Sequence, residues 1–242
     1  MTESAAAGLT VRIVGSTGIR LHCPDAAAAM DAVARPPKDI DVVVRHADRG
    51  KLRDWLERRG WVVDRDLLVA MEGERYAFRH PGSGLDLDVF VEKLEFCHTI
   101  ALDGRWEQNA TTIPIEDLLL QKLQVHDMEA SDVVDAAIVL ATHHVEPGSG
   151  DDEVIDCGYV AELLARDWGF HRDATANLER VRRAVPKEVA LAGDGARRVD
   201  EAAGRLRETI DGARKSMAWK MRARVGDRMQ WWDDVSDREL TY

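Results

Sequence analysis

The chain has 242 residues, 45% of them hydrophobic and 32% charged, and 33 Lys and Arg against 44 Asp and Glu leave a net charge of −11. That length can bury a core without staples, the composition excludes a disordered or fibrous protein, and the overall charge argues against a protein built mainly to hold nucleic acid. No apolar run reaches the roughly 20 residues of a membrane-spanning helix, and the N-terminus lacks the basic and apolar segments of a secretory signal, so no membrane partner is expected.

In chain order, Leu9–Val14 is a short β-branched run that ends at Gly15 and reads as a strand entering a turn. Asp39–Arg45 reads as a second strand. Lys51–Arg59 has apolar residues at helical spacing, with Gly60 as its C-terminal stop, and Trp61–Val63 follows as a short strand. Glu74–His80 and Leu85–Val91 flank Pro81-Gly-Ser-Gly84, the pattern of an antiparallel hairpin with a four-residue loop. From Ile115 the signal turns helical, first over Ile115–Val125, with Glu116 and Asp117 in its first turn, then over Ser131–Ala141. Further helices follow. The fold class expected is α+β: a small mixed or antiparallel sheet with flanking helices over residues 1–145, then a helical, partly basic domain over 153–242. The acidic, turn-rich segment Val145–Glu153 marks the boundary, and the one low-complexity patch is the alanine run Ala26–Ala29.

Charge divides along the same line. Residues 1–171 sum to −14, residues 172–228 to +6 and residues 229–242 to −3. The acid excess thus lies in the first part, and the net value does not exclude an RNA ligand.

The strongest chemical signal is Asp39-Ile-Asp-Val-Val-Val44. Alternate residues of a strand share a face about 6.5–7 Å apart, so Asp39 and Asp41 project together while Ile40 and Val42 face a core. Crowded carboxylates repel unless a cation lies between them, and Mg²⁺ is the natural hard partner. Alone, such a pair also describes a solvated strand end. Leu85-Asp-Leu-Asp-Val-Phe-Val91 repeats the pattern, with Asp86 and Asp88 on one face and Leu85, Leu87, Val89 and Val91 on the other. If the two strands are neighbours, three or four carboxylates converge, enough for a two-ion phosphoryl-transfer site. Upstream, Gly15-Ser-Thr-Gly18 follows a strand, where glycine lets backbone approach phosphate and Ser16 offers a hydroxyl. It is neither a Walker A loop nor Gly-x-Gly-x-x-Gly, and by itself it is also an ordinary tight turn.

The order of these features resembles the nucleotidyltransferase superfamily, with its polymerase beta-like fold. The resemblance rests on Gly15-Ser16, Asp39-Ile40-Asp41 and Asp88, and covers roughly residues 10–145. It is nearest to the compact bacterial AbiEii-type nucleotidyltransferase toxins, through Leu87–Val91, Leu94–Ile100 and Ile113–Leu123. It implies that Asp39 and Asp41 bind Mg²⁺, that Asp88 is the third carboxylate and proton acceptor, and that two ions take part. It further implies that Gly15 and Ser16 hold the triphosphate of an NTP and that Lys122 contacts its phosphates. Asp86 competes with Asp88 for the third role; Asp88 is preferred because Asp-Val-Phe matches better. The 22 residues between Ser16 and Asp39 make Cys23–Lys38 an insertion or a loop. The function implied is transfer of an NMP from an NTP to a hydroxyl acceptor, either RNA such as a tRNA end or a small molecule, with an antitoxin protein as partner if the toxin likeness holds. The competing reading is a non-catalytic nucleotide-binding or protein-interaction module on the same scaffold.

Other candidates carry less. Arg20, four residues after Ser16, reaches phosphate if the turn opens a helix. Asp132 and Asp135 lie one helical turn apart and either support Lys122, the lone Lys or Arg between Arg105 and Arg166, or reach the site, or are solvated, the commoner case for helix carboxylates. His143 and His144 read as a helix end with no third ligand spaced for zinc, and Cys97–His98 as strand neighbours pointing apart. Cys23, Cys97 and Cys157 are odd in number and far apart, which argues against a disulfide frame and suits a reducing cytoplasm. The segment Trp219–Trp232 mixes cations with aromatics and either docks its tryptophans on the core or stacks bases, with Arg180, Arg182, Arg183 and Lys187 as a second basic cluster.

Overall fold

The two acidic strands are neighbours at the centre of one sheet. A computed structural model describes residues 2–24, 39–185, 189, 191 and 193–234; the Ala26–Ala29 run, most of the Cys23–Lys38 insertion and Lys187 lie outside the described residues. After a short helix α1 (Thr2–Ala6), β1 (Val11–Val14) leads straight into α2 (Gly15–His22). β2 (Asp39–Val44) is followed by α3 (Arg49–Glu57), β3 (Val62–Val63), α4 (Arg65–Ala70), β4 (Arg75–Arg79) and β5 (Asp86–Val91). The sheet order is β1-β2-β5-β4-β3, with β2 and β5 parallel and every other pair antiparallel, so the sheet is mixed. β4 and β5 form the expected hairpin, closed by Gly84 N–H on the His80 carbonyl at 2.8 Å.

The period-2 pattern assigns the two faces. Ile40, Val42 and Val44 of β2 register against Leu87, Val89 and Val91 of β5. They pack with Val11, Tyr76 and Phe78 beneath Leu52 and Leu56 of α3 in one apolar cluster. The opposite face carries the carboxylates at one end and Val43 and Phe90 further along, where a second and larger cluster begins.

That second cluster is built on α5 (Ile115–Leu123), which is buried at every residue but Lys122. Next come α6 (Ala130–Thr142), β8 (His144–Glu146), β9 (Val154–Asp156), α7 (Cys157–Leu164), α8 (Trp168–Ala184), α9 (Gly195–Gly212) and α10 (Met217–Val225). Between the two parts, β6 (Lys93–Glu95) and β7 (Thr99–Ala101) form a small antiparallel pair with Leu94 and Ile100 fully buried. The segment Val145–Glu153 runs between β8 and β9, which pair in parallel, and one apolar core runs across it from Val14 and Phe90 to Leu206 and Ile210. The architecture is α+β, with helices gathered towards the C-terminus. No helix among the described residues is long and apolar enough to cross a membrane.

The aromatic tail is docked. Trp231 Nε1 donates to Asp173 Oδ1 at 3.0 Å, and Trp232 stacks on His126 with ring centroids 3.6 Å apart. Arg222 lies over Trp168 and donates to the Gly226 and Met229 carbonyls. Part of the positive charge of residues 172–228 is paired with local acids: Arg172 with Asp227, Arg182 with Asp200 and Glu179, Arg183 with Glu179, and Arg207 with Asp211.

Candidate active site

In-register parallel strands turn equivalent side chains to the same face, so Asp39 lies opposite Asp86 and Asp41 opposite Asp88. Four carboxylates therefore form a two-by-two patch. The flanking strands complete the rows: Val14 of β1 registers against Asp41, and Ala77 and Arg79 of β4 against Asp88 and Asp86. Arg79 pairs with Asp86 at 3.3 Å, and Arg75 donates to Asp88 Oδ2 at 2.8 Å. None of the ion pairs among the described residues reaches Asp39 or Asp41. Burial first, then the neighbouring Asp39 and Asp88 carboxylates, push the Asp41 carboxyl up to about 7 against the pull of Lys122 and Arg75. A carboxyl so placed is held in its protonated form near neutrality or stabilised by a cation.

Gly15 brings the turn onto that carboxylate. Its φ of +65° suits glycine, and an added β-carbon would fall 2.3 Å from Asp41 Oδ2. The Gly15 N–H is held by Gln121 Oε1 of α5 at 2.9 Å. Ser16 thus lies in the first turn of α2 beside the carboxylates, with Arg20 one turn further along, half-buried. At Gly18 a β-carbon would meet Leu118 at 2.9 Å, so small residues let α2 lie close on α5.

Lys122 reaches the same corner. Its Nζ lies 3.0 Å from Asp132 Oδ1, 3.0 Å from Asp135 Oδ2 and 3.3 Å from Ser16 Oγ, while Ser16 donates to Asp135 Oδ2 at 2.5 Å. Burial favours a neutral amine, but Asp135 and Asp132 overcome it and hold the ammonium well above its ordinary range. Asp135 is buried, not solvated, and Asp132 also closes the capping box of α6. All three ammonium hydrogens have acceptors in this arrangement, so a phosphate oxygen must displace one of them.

The structure therefore brings together Asp39, Asp41, Asp86 and Asp88, with Gly15 against Asp41, and a second corner of Ser16, Lys122, Asp132 and Asp135. Sequence reasoning missed Gln121, Arg75 and Arg79. The two arginines carry a readable signal, since they alternate on β4 with the period of the acids they meet across the hairpin. His98 is no catalytic partner of Cys97. Both lie in the turn between β6 and β7, and His98 Nε2 bonds the buried Asp173 at 2.8 Å. Neither protein-family models, nor curated proteins, nor solved structures match this chain.

Proposed function

We propose that the chain is a Mg²⁺-dependent nucleotidyltransferase that moves a nucleoside monophosphate from an NTP to a hydroxyl acceptor. One observation carries this reading: the β2–β5 register sets Asp41 beside Asp88 on the face where the Gly15 turn lies against Asp41. The donor set suits Mg²⁺, because carboxylate oxygens are its preferred ligands and Asp41 ionises reluctantly without a cation. Asp39, Asp41 and Asp88 are the residues to hold it; bound there, Mg²⁺ neutralises the triphosphate and makes the acceptor hydroxyl easier to ionise.

In this reaction the acceptor oxygen bonds to the α-phosphorus, the bond from that phosphorus to the bridging oxygen breaks, and pyrophosphate leaves. Asp88 takes the hydroxyl proton on the oxygen that Arg75 leaves free. The α2 amides and Ser16 receive phosphate oxygens, and Lys122 joins them by exchanging one of its aspartates. We place the protein in the cytoplasm on its three widely spaced free cysteines. An RNA acceptor would suit a toxin with an antitoxin partner. A small-molecule acceptor would leave the basic residues of 172–228, among them the ion-paired Arg172, Arg182 and Arg207, without a part in binding.

The full engagement of Lys122 and Ser16 favours a second reading, a nucleotide-binding or protein-interaction module without turnover. Incubation with labelled NTPs, Mg²⁺, total RNA and a panel of small hydroxyl compounds separates the two. Label transfer that Asp39→Asn with Asp41→Asn abolishes, in a folded protein, supports the enzyme. Calorimetric NTP binding without transfer supports the module, and the absence of both sinks the two together.

A further inference from the structure

We propose that His22, His143 and Glu153 form a binding site for a transition-metal ion of the Zn²⁺ class, separate from the carboxylate patch. His22 is the last residue of α2, His143 caps the C-terminus of α6, and Glu153 comes from the loop between β8 and β9. Their ligand atoms all lie within 4.8 Å of one another. His22 Nδ1 is 2.9 Å from Glu153 Oε1, and His143 Nε2 is 3.1 Å from Glu153 Oε2.

The far side of each ring explains why a metal fits. His143 Nδ1 approaches the Val139 carbonyl at 3.1 Å, and a carbonyl only accepts, so the proton of the neutral ring belongs on Nδ1. Thr142 Oγ1, 2.9 Å from the same nitrogen, donates to the Ile138 carbonyl and is free to accept. The lone pair of Nε2 then points at a carboxylate oxygen, an arrangement that repels unless a cation lies between. A metal ion satisfies both groups at once.

His22 is also anchored on its far side, with Nε2 2.7 Å from Thr112 Oγ1 and Nδ1 turned towards Glu153. Ring nitrogens anchored behind the ligand atom are the usual support of metal-binding imidazoles. The Glu153 loop is fixed too, by Asn109 Nδ2 on Asp152 Oδ2 at 2.7 Å. Two imidazoles and one carboxylate suit Zn²⁺ better than Mg²⁺. Zinc bonds of about 2.0–2.1 Å at tetrahedral angles separate ligand atoms by about 3.3 Å, so the two His–Glu153 spacings open only slightly on binding. The two rings are buried while the Glu153 side chain is 53% exposed, which leaves a fourth position facing solvent. Cys23 is a neighbour outside the ligand set: its thiol contacts Thr142 Oγ1 at 3.3 Å. The ion would tie the C-terminal end of α2 to α6 and the β8–β9 loop, while Ser16 lies at the other end of the same helix.

The test is to strip the full-length protein with chelator, add Zn²⁺, remove the excess by gel filtration and measure bound metal. One Zn²⁺ per chain is expected, with an imidazole shell at about 2.0 Å by X-ray absorption. Glu153→Gln, at an exposed position, and His143→Gln should each weaken binding by about tenfold or more, whereas His144→Gln and Asp39→Asn with Asp41→Asn should not. Circular dichroism checks that each variant folds; if His143→Gln does not, Glu153→Gln decides. Failure to retain Zn²⁺, or retention undiminished in Glu153→Gln, overturns the site.

Discussion

Gly15 and Asp41 stand in a contact that no other residue at position 15 could keep: a β-carbon would lie 2.3 Å from the Asp41 carboxylate, on a backbone whose φ is +65°. Gly15→Ala therefore meets both a left-handed backbone penalty and a direct clash, together on the order of 1–3 kcal/mol of stability. The backbone or the carboxylate must move, so the effect should extend beyond stability to divalent-cation binding at Asp41. Urea denaturation with and without Mg²⁺ measures both. Unchanged stability and an unchanged response to Mg²⁺ would show that the turn does not rest on Asp41.

Asp41 also gives a pH signature. Its carboxyl stands at about 7 in the folded protein against an ordinary 3.8, so between those values the folded state binds the proton more tightly than the unfolded chain. Its contribution is most favourable to folding at low pH and is lost as pH rises from about 4 to about 7, with an upper bound of about 4 kcal/mol. Glu116, pushed up to about 7 chiefly by burial and by Asp117, adds a slope of the same sign, so the informative quantity is the difference between wild type and Asp41→Asn. In chelator, Asp41→Asn should melt above wild type at pH 7.5 and close to it at pH 4.5. Mg²⁺ should raise the wild-type midpoint at pH 7.5 and leave the variant unmoved. Parallel melting curves across that range would refute the crowding of Asp41.

What the sequence made legible here follows from period. β2 and β5 alternate cleanly, so both the apolar face and the paired carboxylates could be read before any coordinates, and the parallel register then placed Asp41 beside Asp88. The three-residue strands β6, β7, β8 and β9 are too short to show alternation, and they went unread. Asp135 is open in the sequence between supporting Lys122 and being solvated, because a helix carboxylate usually is solvated, and only the packing of α6 on α5 shows it buried against that lysine. The His22–His143–Glu153 group was invisible for a different reason. Its members are separated by up to 131 positions, and only the docking of α2 against α6 and the β8–β9 loop brings them together.

Lys122 neutralises two carboxylates in a largely buried corner. Lys122→Met leaves Asp135 charged, buried and without its cation, a change that typically costs about 3–5 kcal/mol. Adding Asp135→Asn removes that charge and should recover a large part of the loss, because replacing both members of a buried pair is far milder than removing one. Chemical denaturation of the two single variants and the double variant gives the coupling directly. Additive losses would mean that the pair is not the source of the corner's stability. Should nucleotide loosen this pair, as the proposed phosphate contact requires, saturating NTP would shrink the measured coupling.

Asp173 ties the C-terminal segment to the core. It accepts from His98 Nε2 at 2.8 Å, from His126 Nδ1 at 3.0 Å and from Trp231 Nε1 at 3.0 Å. Burial opposes its ionisation, but the bonds from His98, Trp231 and His126 overcome it and hold the carboxyl below its ordinary value. Its contribution is thus present above about pH 4 and fades as pH falls through the lowered value. Trp231→Phe keeps an aromatic ring against Trp168 but removes the N–H together with part of the ring, so it should cost at least about 1.5–3 kcal/mol at pH 7, the worth of a hydrogen bond to a charged group. Gly169→Ala attacks the same contact from the other side, since a β-carbon there would lie 2.6 Å from the Trp231 carbonyl oxygen. Hydrogen exchange should then show faster exchange at Trp219 and Asp233, whose amides bond Ser216 Oγ and the Cys97 carbonyl, with the sheet unchanged. If both variants exchange like wild type, the tail is held by its aromatic stacking and not by Asp173.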